Sequence, residues 1–534
     1  MVARRSRQRW KRLANEELTP EEELTPAETA AEAKARELEG DLETVLSSPL
    51  FAGPDASIVE DVKALPDVEV DATQHLAEDM ALEEQVAKIY ASIVARAPEH
   101  KVQPSLDRVR DCLDMMGNPQ NAYRAIHITG TNGKTSTARM IEALLRERGL
   151  RTGRFTSPHL QSVRERISID GQAISRAGFI QAWEDVAPFV EMVDAKSEAE
   201  GGPRMSFFEV FVVMAYAAFA DAPIDVAVVE VGMGGTWDAT NVIDAEVAVL
   251  MTVARDHEKW LGASLEEIAT EKLGIVKEGA TVITAEQQDV VEELIAKRVT
   301  EQHASLVYYG PNLHVVDREV AVGGQMMTIR TPSAVYEDVP LAMHGEYQSR
   351  NAAVALAAVE AFFGGGALPG EVVEHALMST SSPARLEVVR SSPTVIVDAA
   401  HNPAGAAATR EALEESFLGP RVAVFSAMAD KDVDGILAEI EPAFEAIVVT
   451  QIEGERAMDI EDIAEIARDV FGEERVRVEP DVASAIVLGA DIAETVNPDS
   501  VAPAVTVVIG SIMLAAEARR VLGAAPPDQP RKEK

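Results

Sequence analysis

Ile126-His127-Ile128-Thr129-Gly130-Thr131-Asn132-Gly133-Lys134-Thr135-Ser136 reads as a strand, a tight loop and the first turn of a helix, end to end. The run 125–129 is mostly apolar and β-branched, as a buried strand requires. Beyond the loop, Met140, Ile141, Leu144 and Leu145 fall on one helical face, and Gly149 provides a stop. The glycines let backbone N–H groups close on phosphate oxygens, and the helix N-terminus adds favourable dipole charge. Lys134 is positioned to reach β- and γ-phosphates, and a hydroxyl of Thr135 or Ser136 to meet a magnesium ion. The loop is shorter than the common Walker form, because Ile128 stands where that form has its first glycine. Gly130, Thr131, Asn132, Gly133, Lys134, Thr135 and Ser136 are thus the candidate ATP-binding residues.

Outward from this loop, short apolar runs recur at 226–231, 247–252, 281–284, 395–397, 422–425, 446–450 and 505–509, with helical patterns between many of them. Such alternation predicts a doubly wound α/β architecture with parallel sheets. Ligands of such sheets bind beyond the carboxyl ends of strands. Glu230, Asp256, His257, Asp398, Ser426 and Ser511 all sit at or just after the end of an apolar run. A carboxylate such as Glu230, in an apolar stretch beside a phosphate site, suits a magnesium ligand.

The strand-and-helix pattern restarts after Glu387. The expected organisation is an acidic, disordered extension over 1–78, an ATP-binding central domain over 79–386, a smaller Rossmann-like α/β domain over 387–523, and a disordered tail over 524–534. The extension repeats Glu-Glu-Leu-Thr-Pro and has few large apolar side chains to bury. A net charge of −40 argues against nucleic acid as a partner. The lone Cys112 excludes an intramolecular disulfide framework and points to a reducing, cytoplasmic setting. No apolar run is long enough to span a membrane, and the basic start lacks the apolar segment of a secretory signal.

Several motifs beyond the phosphate loop occur in a familiar order. They are Ser157-Pro-His-Leu160 with Arg164-Glu-Arg-Ile167, Glu230-Val-Gly-Met-Gly-Gly-Thr-Trp-Asp-Ala-Thr-Asn241, Asp256-His257, Glu271-Lys272-Leu-Gly274, Pro383-Ala-Arg385-Leu-Glu387 and Asp398-Ala-Ala-His401-Asn402-Pro403. Together they resemble the folylpolyglutamate synthase/dihydrofolate synthase branch of the Mur ligase superfamily, over about residues 82–522. The resemblance implies a P-loop-type ATPase domain and a glutamate-ligase domain. It implies an ATP-dependent ligase that adds L-glutamate to folates or dihydropteroate through an acyl phosphate, and that works as a monomer with two magnesium ions.

Residue by residue, the resemblance implies metal contacts at Ser157, Glu230 and His257, and ATP contacts at Asn351, Arg385 and Asp398. It implies a pterin pocket from Ser206, Phe207, Phe208 and Glu209 with Trp237, Asp238 and Ala239, in which Phe207 or Phe208 stacks on the flat ring or simply fills the core. Glutamate handling falls to His401 and Ser511. The chain departs from the folate pattern at Thr135, which is more like the peptidoglycan branch, and at Thr236-Trp237, Ala384, Ala399 and Arg255. The alternative activity, a peptidoglycan-precursor ligase, needs an N-terminal nucleotide-sugar domain that the acidic start does not resemble.

Lys272 lies on a helix that opens with the capping box Ser264-Leu-Glu-Glu267. Leu265, Ile268, Ala269 and Lys272 fall on one stripe, so a lysine is expected among apolar neighbours. The resemblance implies that this lysine is carbamylated and assists the metal; the bland reading is that its ammonium snorkels to water or pairs with Asp256 or Glu271.

Overall fold

The computed structural model describes residues 72–96, 105–454, 456–496 and 500–524. The N-terminal extension before Ala72 and the tail beyond Ala524 lie outside them. Contacts divide the chain into Met1–Leu76 and Ala77–Lys534, and the second unit carries the sheets described below.

Its first sheet has eight strands: β1 Arg124–Thr129, β2 Thr152–Phe155, β3 Ile167–Ile169, β4 Gln172–Ala173, β5 Val226–Glu230, β6 Val247–Leu250, β7 Thr281–Thr284 and β8 Ser305–Tyr308. Their spatial order is β4-β3-β2-β5-β1-β6-β7-β8. β2, β5, β1, β6, β7 and β8 run parallel, and β3 and β4 add an antiparallel edge. All five residues of β5 and five of the six of β1 are buried, as sheet covered on both faces requires. Crossover helices cover the faces: Lys134–Glu147 and Glu346–Phe362 pack on one, and Phe207–Asp221 belongs to the core of the other.

A three-stranded antiparallel sheet follows, β9 His314–Ala321, β10 Gly324–Arg330 and β11 Val335–Leu341. The third sheet begins at Glu387: β12 Glu387–Ser391, β13 Thr394–Val397, β14 Arg421–Phe425, β15 Ala446–Val449, β16 Val476–Val478 and β17 Val505–Ile509. Their order is β12-β13-β17-β14-β15-β16, parallel except for β12. The doubly wound α/β reading holds for both large sheets. Among the described residues no helix is long and apolar enough to cross a membrane.

The boundary expected at 78 falls inside a helix, which runs Ala72–Val94. Val86, Ile89 and Ile93 of that helix are buried with Val109, Phe179 and Phe211, and Glu83 accepts from Arg176 Nε at 2.6 Å. The polar sequence before this helix misleads, because its apolar stripe begins only past the boundary. A chain starting at Ala72 is therefore expected to keep the thermal midpoint and specific activity of the full chain. A chain starting at Ala95 loses three buried aliphatic side chains worth roughly 1.5–3 kcal/mol each, and should unfold at markedly lower denaturant concentration. Equal midpoints for the two truncations would refute this packing.

Candidate active site

Strand β1 delivers the phosphate loop at its carboxyl end. Gly130 has φ 144°, and a Cβ there would stand 2.6 Å from Met251 Cβ, so the loop lies directly on the end of β6. Gly133 caps the helix Lys134–Glu147 in the left-handed region, and a Cβ there would meet Asn351 Oδ1 at 2.9 Å. Asn351 is thus brought to the phosphate loop, held by a bond from its Nδ2 to Gln348 Oε1 at 3.1 Å.

Two ammonium groups converge on the same carbonyl. Lys134 Nζ donates to the carbonyls of Gly130 and Thr131, both at 3.0 Å, and Lys272 Nζ donates to that of Gly130 at 2.9 Å. Burial lowers the proton affinity of both. Lys272, with Lys134 beside it as a further cause, is pulled down to about 7. The ammonium of Lys272 therefore neither reaches solvent nor pairs with Asp256 or Glu271; its residue is only 4% exposed.

Glu230 closes β5 next to this pair. Its oxygens accept from Thr135 Oγ1 at 2.8 and 3.1 Å and from the backbone N–H of Ser157. Burial raises its affinity for a proton, while Lys134 and the Thr135 hydroxyl oppose that. Ser136 Oγ lies 3.0 Å from Ser382 Oγ, which joins the loop to the segment carrying Arg385. Ala384 and Leu386, flanking Arg385, both have positive φ, 56° and 45°. Glu387 holds Ala384 N at 2.8 Å, and Asp398 Oδ2 holds Leu386 N at 2.8 Å. This local strain fixes the direction of Arg385, and Asp398 acts on the site through that backbone. The other Asp398 oxygen accepts from Ala400 N and Thr409 Oγ1.

Asp256, which the sequence places only at a strand end and as a possible partner of Lys272, is a hub. Lys431 Nζ donates to its Oδ1 at 2.9 Å, Asn402 Nδ2 approaches Oδ2 at 3.4 Å, and the Nε2 atoms of His257 and His401 each stand 3.8 Å from Oδ2. Although burial pulls the other way, His257 and Lys431 hold the Asp256 carboxyl below the usual carboxylate range. Burial lowers both histidines to about 4, so both are neutral near pH 7. Asn132 and Asn402 exchange side-chain bonds at 3.2 and 3.3 Å, directly linking the phosphate loop to the segment after β13. Lys431 lies after β14 between Asp430 and Asp432; a lysine between two acids beyond a strand end was the available signal.

Other expected residues are placed in more structural roles. Ser206 and Glu209 form a capping box, and Glu209 also accepts from Arg108. Phe207 is 3% exposed and packs on Phe211 at 4.7 Å under the Arg166 guanidinium. Phe208 is half-buried against Phe155 and directly beside Gly232. Asp238 is 3% exposed, Ala239 is buried, and Trp237 is half-buried. Ser511 caps its own helix through Met513 N at 3.1 Å. His257 turns to Asp256 rather than to Glu230, and among the described residues no group of three or more His, Cys, Asp or Glu is placed to hold a metal ion.

The description "Mur ligase middle domain" matches residues 205–359, and "Mur ligase, glutamate ligase domain" matches 384–510. A dihydrofolate synthase/folylpolyglutamate synthase of Mycobacterium tuberculosis is 46% identical over 451 residues, spanning 81% of this chain and 92% of that protein. The chain belongs to the folylpolyglutamate synthase/dihydrofolate synthase family of Mur ligases. A family member of Bacillus subtilis is 32% identical, with 70% of this chain and 87% of the relative covered. The M. tuberculosis folylpolyglutamate synthase complexed with ADP superposes with a TM-score of 0.80 at 44% identity, covering 83% of this chain and all of that one. Escherichia coli FolC in complex with DHPP and ADP gives 0.68 at 27% identity, covering 82% and 98%.

The Lys431–Asp256 pair has side chains only 10% and 11% exposed. Breaking one partner of such a pair leaves a charge without compensation, at a cost of about 3 kcal/mol. Lys431→Met and Asp256→Asn are each expected to destabilise by that order in denaturant titrations, and the double variant by clearly less than their sum. Additive losses would show that the two groups do not act as a pair.

Proposed function

We propose that this chain is an ATP-dependent ligase that joins L-glutamate by an amide bond to a pterin-bearing carboxylate. The acceptors are a reduced folate, extended to polyglutamates, and dihydropteroate, converted to dihydrofolate. The observation that carries the reading is the meeting of Lys134, Lys272 and Glu230 with Asp256, His401 and Lys431 across one cleft. Solved relatives described as bound to ADP and to DHPP support the same pairing of nucleotide and pterin. Both halves of the cleft come from one chain, which favours a monomer as the working unit.

The carboxylate of Glu230 and the hydroxyls of Thr135 and Ser157 are hard oxygen donors, and they fit magnesium. Magnesium bound there neutralises charge on the transferring phosphoryl group. Lys134 leaves its loop carbonyls to meet the β- and γ-phosphates, and Arg385, held by Ala384 and Leu386, faces them from the segment that leads into the third sheet. The acceptor carboxylate attacks the γ-phosphorus. A new carboxylate–phosphorus bond forms, the bond to the β-phosphate oxygen breaks, and ADP leaves. The neutral glutamate amine then attacks the acyl carbon. The tetrahedral intermediate collapses with phosphate as leaving group.

His401 is suited to take the amine proton. Its Nδ1 lies 2.9 Å from the Ala399 carbonyl and must donate there, which leaves Nε2 as the bare lone pair. The imidazolium that forms is steadied by Asp256. Lys431 supplies a fixed cation for the glutamate carboxylates. Closure of the cleft excludes water, which would hydrolyse the acyl phosphate.

Lys272 is carbamylated in the active enzyme on this reading. At a proton affinity of about 7 roughly half the amines are neutral at pH 7. The neutral amine adds carbon dioxide, a nitrogen–carbon bond forms, and one proton is released. The product is an anion set against Lys134 and the metal oxygens.

Lys134→Ala is expected to lower turnover roughly a thousandfold or more while the protein stays folded; near-normal ligation by that variant would sink the phosphate-loop assignment. Carbamylation has its own readout. The neutral fraction of Lys272 grows with pH, so bicarbonate-treated protein should gain the mass of one carbon dioxide increasingly from below to above about pH 7. Lys272→Ala should be inactive and partly rescued by short carboxylates. An unmodified lysine with a fully active alanine variant contradicts the carbamate.

A further inference from the structure

We propose that His127 and Thr240 are positioning residues that fix the loop between β5 and β6, and with it the affinity for the pterin-bearing acceptor. The inference rests on the ligase reading above, because it assigns this loop to the acceptor side of the cleft.

Side chains alternate along a strand, so His127 and Thr129 of β1 point to the same face. Both reach that loop. Thr129 Oγ1 donates to the Gly234 carbonyl at 2.8 Å, and His127 Nε2 lies 2.9 Å from Thr240 Oγ1. A threonine hydroxyl has one proton. Thr240 directs it to Asp238 Oδ1 at 2.5 Å, since Asp238, although burial pushes it up to about 6, is ionised at pH 7 and a carboxylate can only accept. Thr240 Oγ1 must therefore accept from His127, and the histidine must carry its proton on Nε2.

The remaining contacts leave the carboxylate little freedom. Asp238 Oδ1 also accepts from Thr240 N at 3.0 Å, and Oδ2 accepts from Met233 N at 2.9 Å. The Thr240 carbonyl is held by Tyr216 OH at 2.8 Å, and Tyr123 OH holds the Tyr216 carbonyl at 3.1 Å. His127 and Thr240 are fully buried. Burial, with Lys277 as a further cause, keeps the imidazole neutral, down to about 3.

The chain buries this ring even though His127 Nδ1 finds no partner. An unpaired buried nitrogen is costly, so an aliphatic residue would serve the core better. What the histidine adds is one donor at Nε2. That donor fixes Thr240, Thr240 fixes Asp238, and Asp238 shapes the turn in which Gly232 meets Phe208 and Trp237 follows. The strand that ends in the phosphate loop thereby also sets the acceptor wall.

The test uses the full chain with ATP, glutamate and either tetrahydrofolate or dihydropteroate. His127→Leu and Thr240→Val are expected to raise the acceptor KM about tenfold, while the ATP KM and kcat stay within about twofold. His127→Gln, which restores a donor near Nε2, and Thr240→Ser should recover most of the affinity. An unchanged acceptor KM, or a parallel loss of every parameter with the thermal midpoint and no rescue, overturns the proposal.

Imidazole nitrogen NMR separates this from failure of the ligase reading. The wild type should show Nε2–H with bare Nδ1 at about pH 7–8, where Asp238, pushed up to about 6 by burial, is ionised, and Thr240→Val should disturb that signal. A protein that makes no amide yet shows this behaviour keeps the positioning pair and loses the ligase reading. A charged ring or an Nδ1–H tautomer overturns the pair whatever the ligation result.

Discussion

One backbone carbonyl, that of Gly130, receives two buried ammonium groups, and the rest of the site is arranged around that meeting. Lys134 arrives from the first turn of the helix after the loop, and Lys272 arrives from the helix after β6. Neither charge is comfortable, because burial works against protonation of both, with Arg385 as a further cause at Lys134 and Lys134 as a further cause at Lys272. The Lys134 ammonium and the loop backbone suit an anion with many oxygens, while Lys272, drawn down to about 7, is half neutral near pH 7. Glu230 limits the effect: it offers oxygen to a hard cation and keeps the local field from being purely positive.

The same constraint explains why the third sheet is needed. A phosphate site alone can turn over ATP with water. Here Asn132 of the loop exchanges bonds with Asn402, and Asp256 beyond β6 binds Lys431 beyond β14. These contacts bring His401 and Lys431 to Asp256, beside the phosphate loop. Arg318 of β9 also forks onto Glu415 of the helix Pro403–Ser416, adding a second brace at a distance from the chemistry. On the mechanism proposed above, the residues that join the two sheets are also those that would keep an acyl phosphate for an amine.

The parallel strands were legible because they are buried on both faces and so written as short runs rich in β-branched residues; β1, β5 and β17 are examples. The phosphate loop was legible from glycine spacing before a helix. The sheet β9–β11 was not, because β9 is largely exposed and its pattern lacks the apolar alternation that marks a half-buried strand. The boundary placed at 78 falls inside the helix Ala72–Val94, whose Val86, Ile89 and Ile93 reach the core. At the site, Lys134, Glu230 and Lys272 could be named from local sequence. Asp256 and Lys431 could not be joined, since their partnership exists only when two distant strand ends meet. Asp398 and Ser511 were read as ligand contacts from motif likeness, and the fold gives them bracing and capping bonds that a motif does not reveal.

The central claim is that phosphate passes to the acceptor carboxylate before nitrogen attacks. Heavy-oxygen label in the acceptor carboxylate tests it most directly, with the released phosphate analysed by mass after a single turnover. The account predicts one labelled oxygen transferred to phosphate for each amide bond formed, dependent on both ATP and glutamate. Unlabelled phosphate accompanying amide formation would contradict it.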